Sequence, residues 1–525
     1  MAQWARLSDL KSGDGKIDGY GFYGLDPSKW SWLGSKNLTL ESVEQRGLGD
    51  CYYLSTLAEY ARYPNRWAQY AVGHDWNKGF ASFRYFVGGE EIQISVDDYI
   101  PFHTYEQYKV FLYYFDAVGP WGALWAVMAE KSYAKLNFNY VNIIGGNFCP
   151  VHTDLYGLPC HIYHPKDFSL CDLWEKINNA TQKGWFLSSG TSSGSNADSN
   201  EYGIVLGHQY TLIGAYKCSD TGEKIIKLRN PWGSHKYSAW KKDSTYFDGI
   251  SDACRKEHDC EQNQALGIFC TNVQIYNASY SSFSIAPWED EYVRSSYSVD
   301  MTKNSGAEVA ELRFNVSTPG EYYIGAQFPT SRMSGMCGAN PKLKLKLVDS
   351  SGKQVGETVE NEAWFVFGSS EDPAYLEAGS YAIQYQLTTQ KCDTVKTAGV
   401  YVYGPAKVEL ENYVPPPPTP SELVSEYEAK CAKQKLYEWY GVKYNNFQDG
   451  VEQVFCFKFE GKWGCKEADV DVTLYGAPGK SIGMKGCDVD GEKVKLKLIE
   501  GDKFTIFTQQ GQGMFNMGLQ VSQCS

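Results

Sequence analysis

Five prolines fall within six residues in the segment VPPPPTP (414–420). Each proline fixes its own φ and lacks an N–H, so such a run fits neither a helix interior nor a sheet ladder. It reads as an extended polyproline II spacer. We therefore place a linker at 412–421, with everything before it folding apart from 422–525.

The texture on the two sides differs. After the linker, Ser421 is a cap, and Leu423, Tyr427, Cys431 and Leu436 recur at helical intervals before Gly441, which predicts a short helix. The runs VFCFKF, VDVTLY, VKLKL and FTIFT, parted by glycine-rich turns, predict a small all-β domain from about 450 to 525. Before the linker, AELRFNV, GEYYIGAQF, KLKLKLVD, GSYAIQYQL and VYVYG predict a second all-β domain of sandwich type at 291–411, with DSSGK (349–353) as a hairpin loop. Residues 1–290 mix helix patterns (CYYLSTLAEYARY, WGALWAVMAEKSYAKL) with strand patterns (ASFRYFVGG, EIQISVDD, GHQYTLIGAY, EKIIKLRN). That part is α+β.

Composition excludes several classes. Hydrophobic residues make up 43% of the 525, so the chain is not wholly disordered. The net charge of −13 argues against nucleic acid or an anionic membrane as partner. The most apolar stretch, FDAVGPWGALWAVMA (115–129), holds Asp, Pro and Gly and is too short for a transmembrane segment. The first residues show no apolar run of a secretory signal. The 15 cysteines, an odd number thinly spread, fit reduced thiols and a cytoplasmic location. On that reading the sequons at Asn37, Asn179, Asn277 and Asn315 meet no glycosylation machinery.

Three short segments carry chemistry. In QRGLGDC (45–51), glycines precede an amphipathic run, which puts Cys51 in the first turn of a helix. Unpaired N–H groups and the positive dipole end favour a thiolate there. Gln45 is a side-chain donor for a developing oxyanion. Gly207-His208 lies on the strand GIVLGHQYTLIGAY and Asn230 in KIIKLRNPWG, with the turn Asp220-Thr221-Gly222 between them. Pairing about that turn sets Asn230 opposite roughly position 212, on the face shared by positions 208 and 210. A helix-borne Cys facing a His oriented by an Asn meets the requirement for thiolate–imidazolium catalysis.

QRGLGDCYYL, VDDYIP (96–101), EKSYAKLN (130–137), GHQYTL and LRNPWG occur in that order. Together they resemble the protease core of the calpains, papain-like cysteine proteases. The resemblance covers about 20–290. It implies a two-lobed core, with a Cys lobe at about 1–145 and a His/Asn lobe at about 146–290. It implies Cys51 as nucleophile, His208 as base and then acid, and Asn230 as the residue that orients it. Gln45 and the Cys51 N–H would form the oxyanion hole, with Trp232 packed beside the His–Asn pair. The 291–411 domain corresponds in position to the family's C2-like β-sandwich.

The family also implies Ca²⁺, and here the sequence departs. The acid positions of the family fall at Ser42, near Val141 and at about Lys236, and only Asp243 lies near a family acid. A hard cation needs several oxygens, some charged. DGKIDG (14–19) and CDVDG (487–491) lack the ligands of an EF-hand. No cofactor is required by these residues, and no metal site is assigned.

Other clusters read as ordinary structure. Cys149, His152, Cys160, His161 and His164 match no familiar zinc spacing, nor do Cys254, His258, Cys260 and Cys270. Gly479-Lys480-Ser481 lacks the first glycine of a phosphate loop. Asp97 and Asp98 read as turn and capping residues.

The sequence therefore predicts an intracellular endopeptidase acting on protein substrates through Cys51. Its β-domains would dock a protein partner or scaffold, or restrain the core. The competing class is a catalytically silent structural or adaptor protein on the same fold.

Overall fold

The computed structural model describes residues 2–13, 21–22, 26–105, 110–113, 122–195, 197–233, 245, 247–260, 266–300, 309–328, 332, 342–362, 367–369, 372–388, 397–413 and 429–439, and beyond these the strands of the last domain. The chain forms two compact units, Met1–Tyr413 and Val414–Ser525. The proline segment 414–420, most of the predicted helix after it, Lys236, Asp243 and both the 14–19 and 479–481 motifs lie outside the described residues.

Among the described residues of 1–290 there are two large hydrophobic cores and a small third one. The first surrounds the helix Cys51–Tyr60, every residue of which is buried. A helix enclosed on all sides belongs to the middle of a core rather than its surface. Beside it lies Trp125–Leu136, buried except at Lys131 and Lys135, and the antiparallel sheet Ala71–Asp75, Phe80–Val87, Glu90–Asp97. The helix Phe148–Tyr156 also belongs here, through Phe148, Val151 and Leu155. This helix therefore packs with the first core, past the expected boundary at 145.

The second core lies on a six-stranded sheet, in the order Ile268–Asn272, Lys224–Arg229, Gln209–Lys217, Phe186–Thr191, Tyr280–Ala286, His161–Tyr163. The helix Leu170–Gln182 covers it. Ser169 caps that helix by accepting from the Asp172 N–H at 3.2 Å, and Leu173, Ile177 and Ala180 face inward at helical spacing.

Residues 293–413 form two five-stranded sheets with a common core. Asp349 closes the expected hairpin by accepting from the N–H groups of Ser351 and Lys353. The strand Glu411–Tyr413 pairs with Val309–Val316, so this domain runs to 413 rather than 411. In the last unit, residues 429–431 are helical, but Tyr437–Trp439 is a strand paired with Val442–Asp449. The helix expected to reach Gly441 therefore ends early. Aromatic and β-branched residues on both sides of Gly441 favour a hairpin there.

The expectation of reduced thiols is overturned. Cys149–Cys160, Cys218–Cys254, Cys260–Cys270 and Cys431–Cys456 are disulfides, with Cα separations of 5.4, 5.1, 5.3 and 5.3 Å. Both loose Cys/His clusters are thus pairs of cross-linked cysteines. Nδ1 of His152 pairs with the Tyr60 hydroxyl at 2.7 Å, and Nδ1 of His164 with Ser281 O at 2.9 Å. Among the described residues, Cys51 and Cys171 are the free thiols. No described helix is long and apolar enough to cross a membrane.

Candidate active site

The Cys51–Tyr60 helix begins at its namesake, with Asp50 at the N-cap position and the Asp50 carbonyl accepting from Tyr53 and Leu54. The helix packs on the Gln209–Lys217 strand, where Thr211 Oγ1 donates to Ser55 O at 2.7 Å. Cys51 therefore stands against the start of that strand, with the Gln209 backbone N–H directed at its sulfur. The thiol is 8% exposed. Burial pushes its pKa up to about 12; Asp50 pushes the same way, and the Gln209 N–H pulls back. Asp50 is itself wholly buried beside Glu130, and burial pushes its carboxyl up to about 7.

His208 is placed by its neighbours. Gly207 has φ of +58°, and a Cβ there would lie 2.2 Å from Gly194 O, so only glycine fits. Thr191 then grips the next residue: its N–H donates to His208 O at 3.0 Å and its Oγ1 accepts from His208 N at 3.1 Å. The strand pairing carries Arg229 to Thr211, with a bulge between Leu212 and Gly214. Continued by one residue, it sets Asn230 beside position 210 rather than 212: the register from Lys217↔Lys224 accounts for one position and the bulge, which adds one residue to the first strand, for the other. Position 210 shares the face of His208, and the two side chains meet.

Nε2 of His208 lies 2.8 Å from Asn230 Oδ1. The same oxygen accepts the Trp232 backbone N–H at 3.0 Å. That second donor identifies the atom as the carbonyl oxygen. His208 must then carry its proton on Nε2, which leaves a lone pair on Nδ1. The Trp232 ring lies over the imidazole, 4.4 Å between centroids. Nδ1 is buried and has no hydrogen-bond partner among the described residues, so the Cys51 thiol is not bonded to it. Burial lowers the His208 pKa to about 4, against the bond to Asn230. In this state both groups are neutral.

Gln45 is buried, and its amide donates to Leu48 O at 2.7 Å, so the expected donor is turned into its own loop. Its backbone N–H donates to Pro231 O at 2.8 Å, one of several bonds across the two halves. The others are Thr211 to Ser55, Arg62 Nη1 to Ile213 O at 3.0 Å, and Arg229 Nη2 to Val43 O at 2.5 Å. Arg229 was not singled out by sequence reasoning. Its signal is a charged residue at an inward position of the apolar strand KIIKLR. Asp97 and Asp98 hold turns: Asp97 accepts from Tyr99 N and Lys131, and Asp98 from Arg6 and Ser8 N.

Residues 2–286 match the model of the calpain family of cysteine proteases. The chain belongs to that family. Relatives include the calpain-type cysteine protease DEK1 of Zea mays, 30% identical over 241 residues, 45% of this chain and 10% of that protein. Calpain of Schistosoma mansoni is 29% identical over 224 residues, 41% of this chain and 29% of its own length. Calpain-8 of Rattus norvegicus is 28% identical over 259 residues, 47% and 35% respectively. This calpain-family chain thus covers from a tenth to about a third of the length of these relatives.

Proposed function

We propose that the chain is a cysteine endopeptidase of papain-like, two-lobed architecture, with Cys51, His208 and Asn230 as its catalytic groups. The carrying observation is the fixed tautomer of His208. With Nε2–H held by Asn230, the Nδ1 lone pair is left to accept the Cys51 proton. The thiol proton passes to Nδ1 and the sulfur attacks the scissile carbonyl. His208 returns the proton to the leaving amine, and water then cleaves the acyl-enzyme. The Cys51 N–H at the helix start is one oxyanion donor. Gln45 becomes the second once its amide leaves Leu48 O.

In the resting state the thiol is shut from water and neutral. Admission of a peptide and its water into the cleft lowers the cost of the ion pair. The bonds joining the halves support a cleft assembled through protein contacts. The 293–413 domain adds to that restraint. Arg294 donates to Gly157 O at 2.7 Å and to Gln327 Oε1 at 3.0 Å, and Gln327 donates to Phe86 O and Asp154. We assign this C2-like domain the role of bracing the core, and the last unit that of docking protein partners.

Calcium fits poorly at the first family position. Ser42 is fully buried, with its Oγ bonded to Asn37 O and Thr39. Val141 offers no side-chain oxygen, and the Arg332 guanidinium already donates to the neighbouring carbonyls of Asn142 and Gly145. We derive no step through the metal. The test is degradation of an unfolded protein substrate by the full chain and by folded Cys51→Ala and His208→Ala variants. Activity lost in both supports the assignment, and comparable activity in either refutes it.

A further inference from the structure

The paired cysteines change the meaning of the four sequons. Cytoplasmic thiols are kept reduced, and structural disulfides belong to oxidising compartments. Here three of the pairs lie in the protease core itself. Cys218, Cys254, Cys260 and Cys270 form with Ile225 and Ile250 a small separate core, so cross-links replace much of the apolar packing at that edge of the sheet. The pairs close short spans, of 36 and 10 residues: Cys218, just past its strand, to Cys254 in the helix Asp252–Glu257, and Cys260 to Cys270 in the strand Ile268–Asn272. The thiol that chemistry needs, Cys51, is buried in the other core and lies outside this framework.

We propose that this chain matures in an oxidising compartment that also glycosylates asparagine, and that Asn37 and Asn315 carry N-linked glycans. Each cysteine pair gives two electrons and two protons to a disulfide-bearing oxidoreductase, which becomes a dithiol. At each glycosylated site the asparagine Nδ2 displaces lipid pyrophosphate from the anomeric carbon of an oligosaccharide and loses one proton.

The structure separates the four sequons. Asn37 is exposed in a turn with φ of +61°, held from behind by Ser42, whose hydroxyl donates to the Asn37 carbonyl. Asn315 projects from the outer face of Val309–Val316, between buried Phe314 and Val316, with Ser317 exposed beyond it. It borders a groove of about 820 Å³. Asn277 is half-buried with its Oδ1 shut from solvent, and the hydroxyl of its partner Ser279 accepts from Asn200. Asn277 is the least exposed of the four asparagines. Asn179 lines a smaller cleft of about 340 Å³ against the β-sandwich, walled by Lys183, Trp185 and Asp372. The Thr181 hydroxyl is bonded to Ile177 O and the Ala215 N–H. Asn179 is itself exposed, so the engaged Thr181 hydroxyl and the facing wall are what set it apart from Asn37 and Asn315.

The test uses the full chain purified from its own cells, with free thiols alkylated at lysis. Peptide N-glycosidase treatment in ¹⁸O water followed by mass spectrometry should convert Asn37 and Asn315 to labelled aspartate and leave Asn179 and Asn277 unchanged. Cys149, Cys160, Cys218, Cys254, Cys260 and Cys270 should become alkylatable only after reduction, while exposed Cys171 reacts at once. N37Q and N315Q should each remove one glycan step from the intact mass. Unmodified Asn37 and Asn315 in the native protein, or core cysteines already alkylated at lysis, would overturn the proposal. Neither readout depends on proteolysis, so it stands or falls apart from the catalytic assignment.

Discussion

Replacing Arg229 by Met should loosen the seam between the two cores without touching the thiol. The guanidinium is wholly buried, and it donates to Val43 O at 2.5 Å across the seam and to Leu266 O at 3.0 Å within its own half. Two bonds from a charged donor are together worth about 3–6 kcal/mol. Burial lowers the Arg229 pKa from 12.5 to about 10. At roughly 1.4 kcal/mol per pH unit that is a charge-burial penalty of about 3 kcal/mol, which the Met variant escapes. The variant also leaves two carbonyls shut from water, so a net loss of about 1–3 kcal/mol remains. If reagents reach Cys51 through transient opening of this seam, the open population should rise about 5- to 150-fold. The assay is the rate of iodoacetamide labelling at Cys51, followed by mass spectrometry, with exposed Cys171 as internal control. An unchanged Cys51 rate in a folded Arg229→Met protein would show that this residue does not hold the halves together.

Asn230→Ala should lower kcat by about 10-fold with KM little changed, since it removes the group that fixes the His208 tautomer rather than the base itself; an unaltered kcat on a peptide substrate would contradict that role. Because burial holds His208 near 4 and Cys51 near 12, labelling of the resting thiol should be slow from about pH 5 to 8 and rise about tenfold per pH unit into alkali without a plateau. A fast plateau over that range would reveal a preformed ion pair. Cys218→Ser with Cys254→Ser should cost about 2–4 kcal/mol of stability, seen as a lowered denaturation midpoint, and a null effect would mean the pair is not bonded in the native protein. Calcium added to the full chain should leave peptidase activity unchanged, and saturable micromolar activation would mean that oxygens other than Ser42 and Val141 supply a site.

Much of the site could be read along the chain because its signals are local. Glycines before an apolar run mark the start of the Cys51 helix, and Gly207 before His208 marks a backbone position closed to any side chain. The features that escaped are those set by distant partners. The bulge at Leu212/Gly214 shifts the pairing of Asn230, and nothing in GHQYTLIGAY announces which residue will be the extra one. The cysteines could not be paired by spacing, since Cys218 finds Cys254 only after a helix has packed beneath the strand. Leu436 continues a helical period, yet the chain turns into a hairpin because its pairing partner, Val442–Asp449, follows at once. The helix Phe148–Tyr156 joined the first core because its apolar face met Cys51–Tyr60, a choice made by packing and not by its own sequence.

The central claim is that Cys51 is a nucleophile served by His208. The most direct measurement is covalent capture. Full-length protein is treated with a peptidyl chloromethyl ketone and the labelled residue is identified by mass spectrometry, in wild type and in His208→Ala. One adduct on Cys51 is expected, with loss of proteolysis in step with its formation and no comparable labelling in the His208→Ala variant. Adducts confined to exposed Cys171, or equal labelling of Cys51 with and without His208, would contradict it.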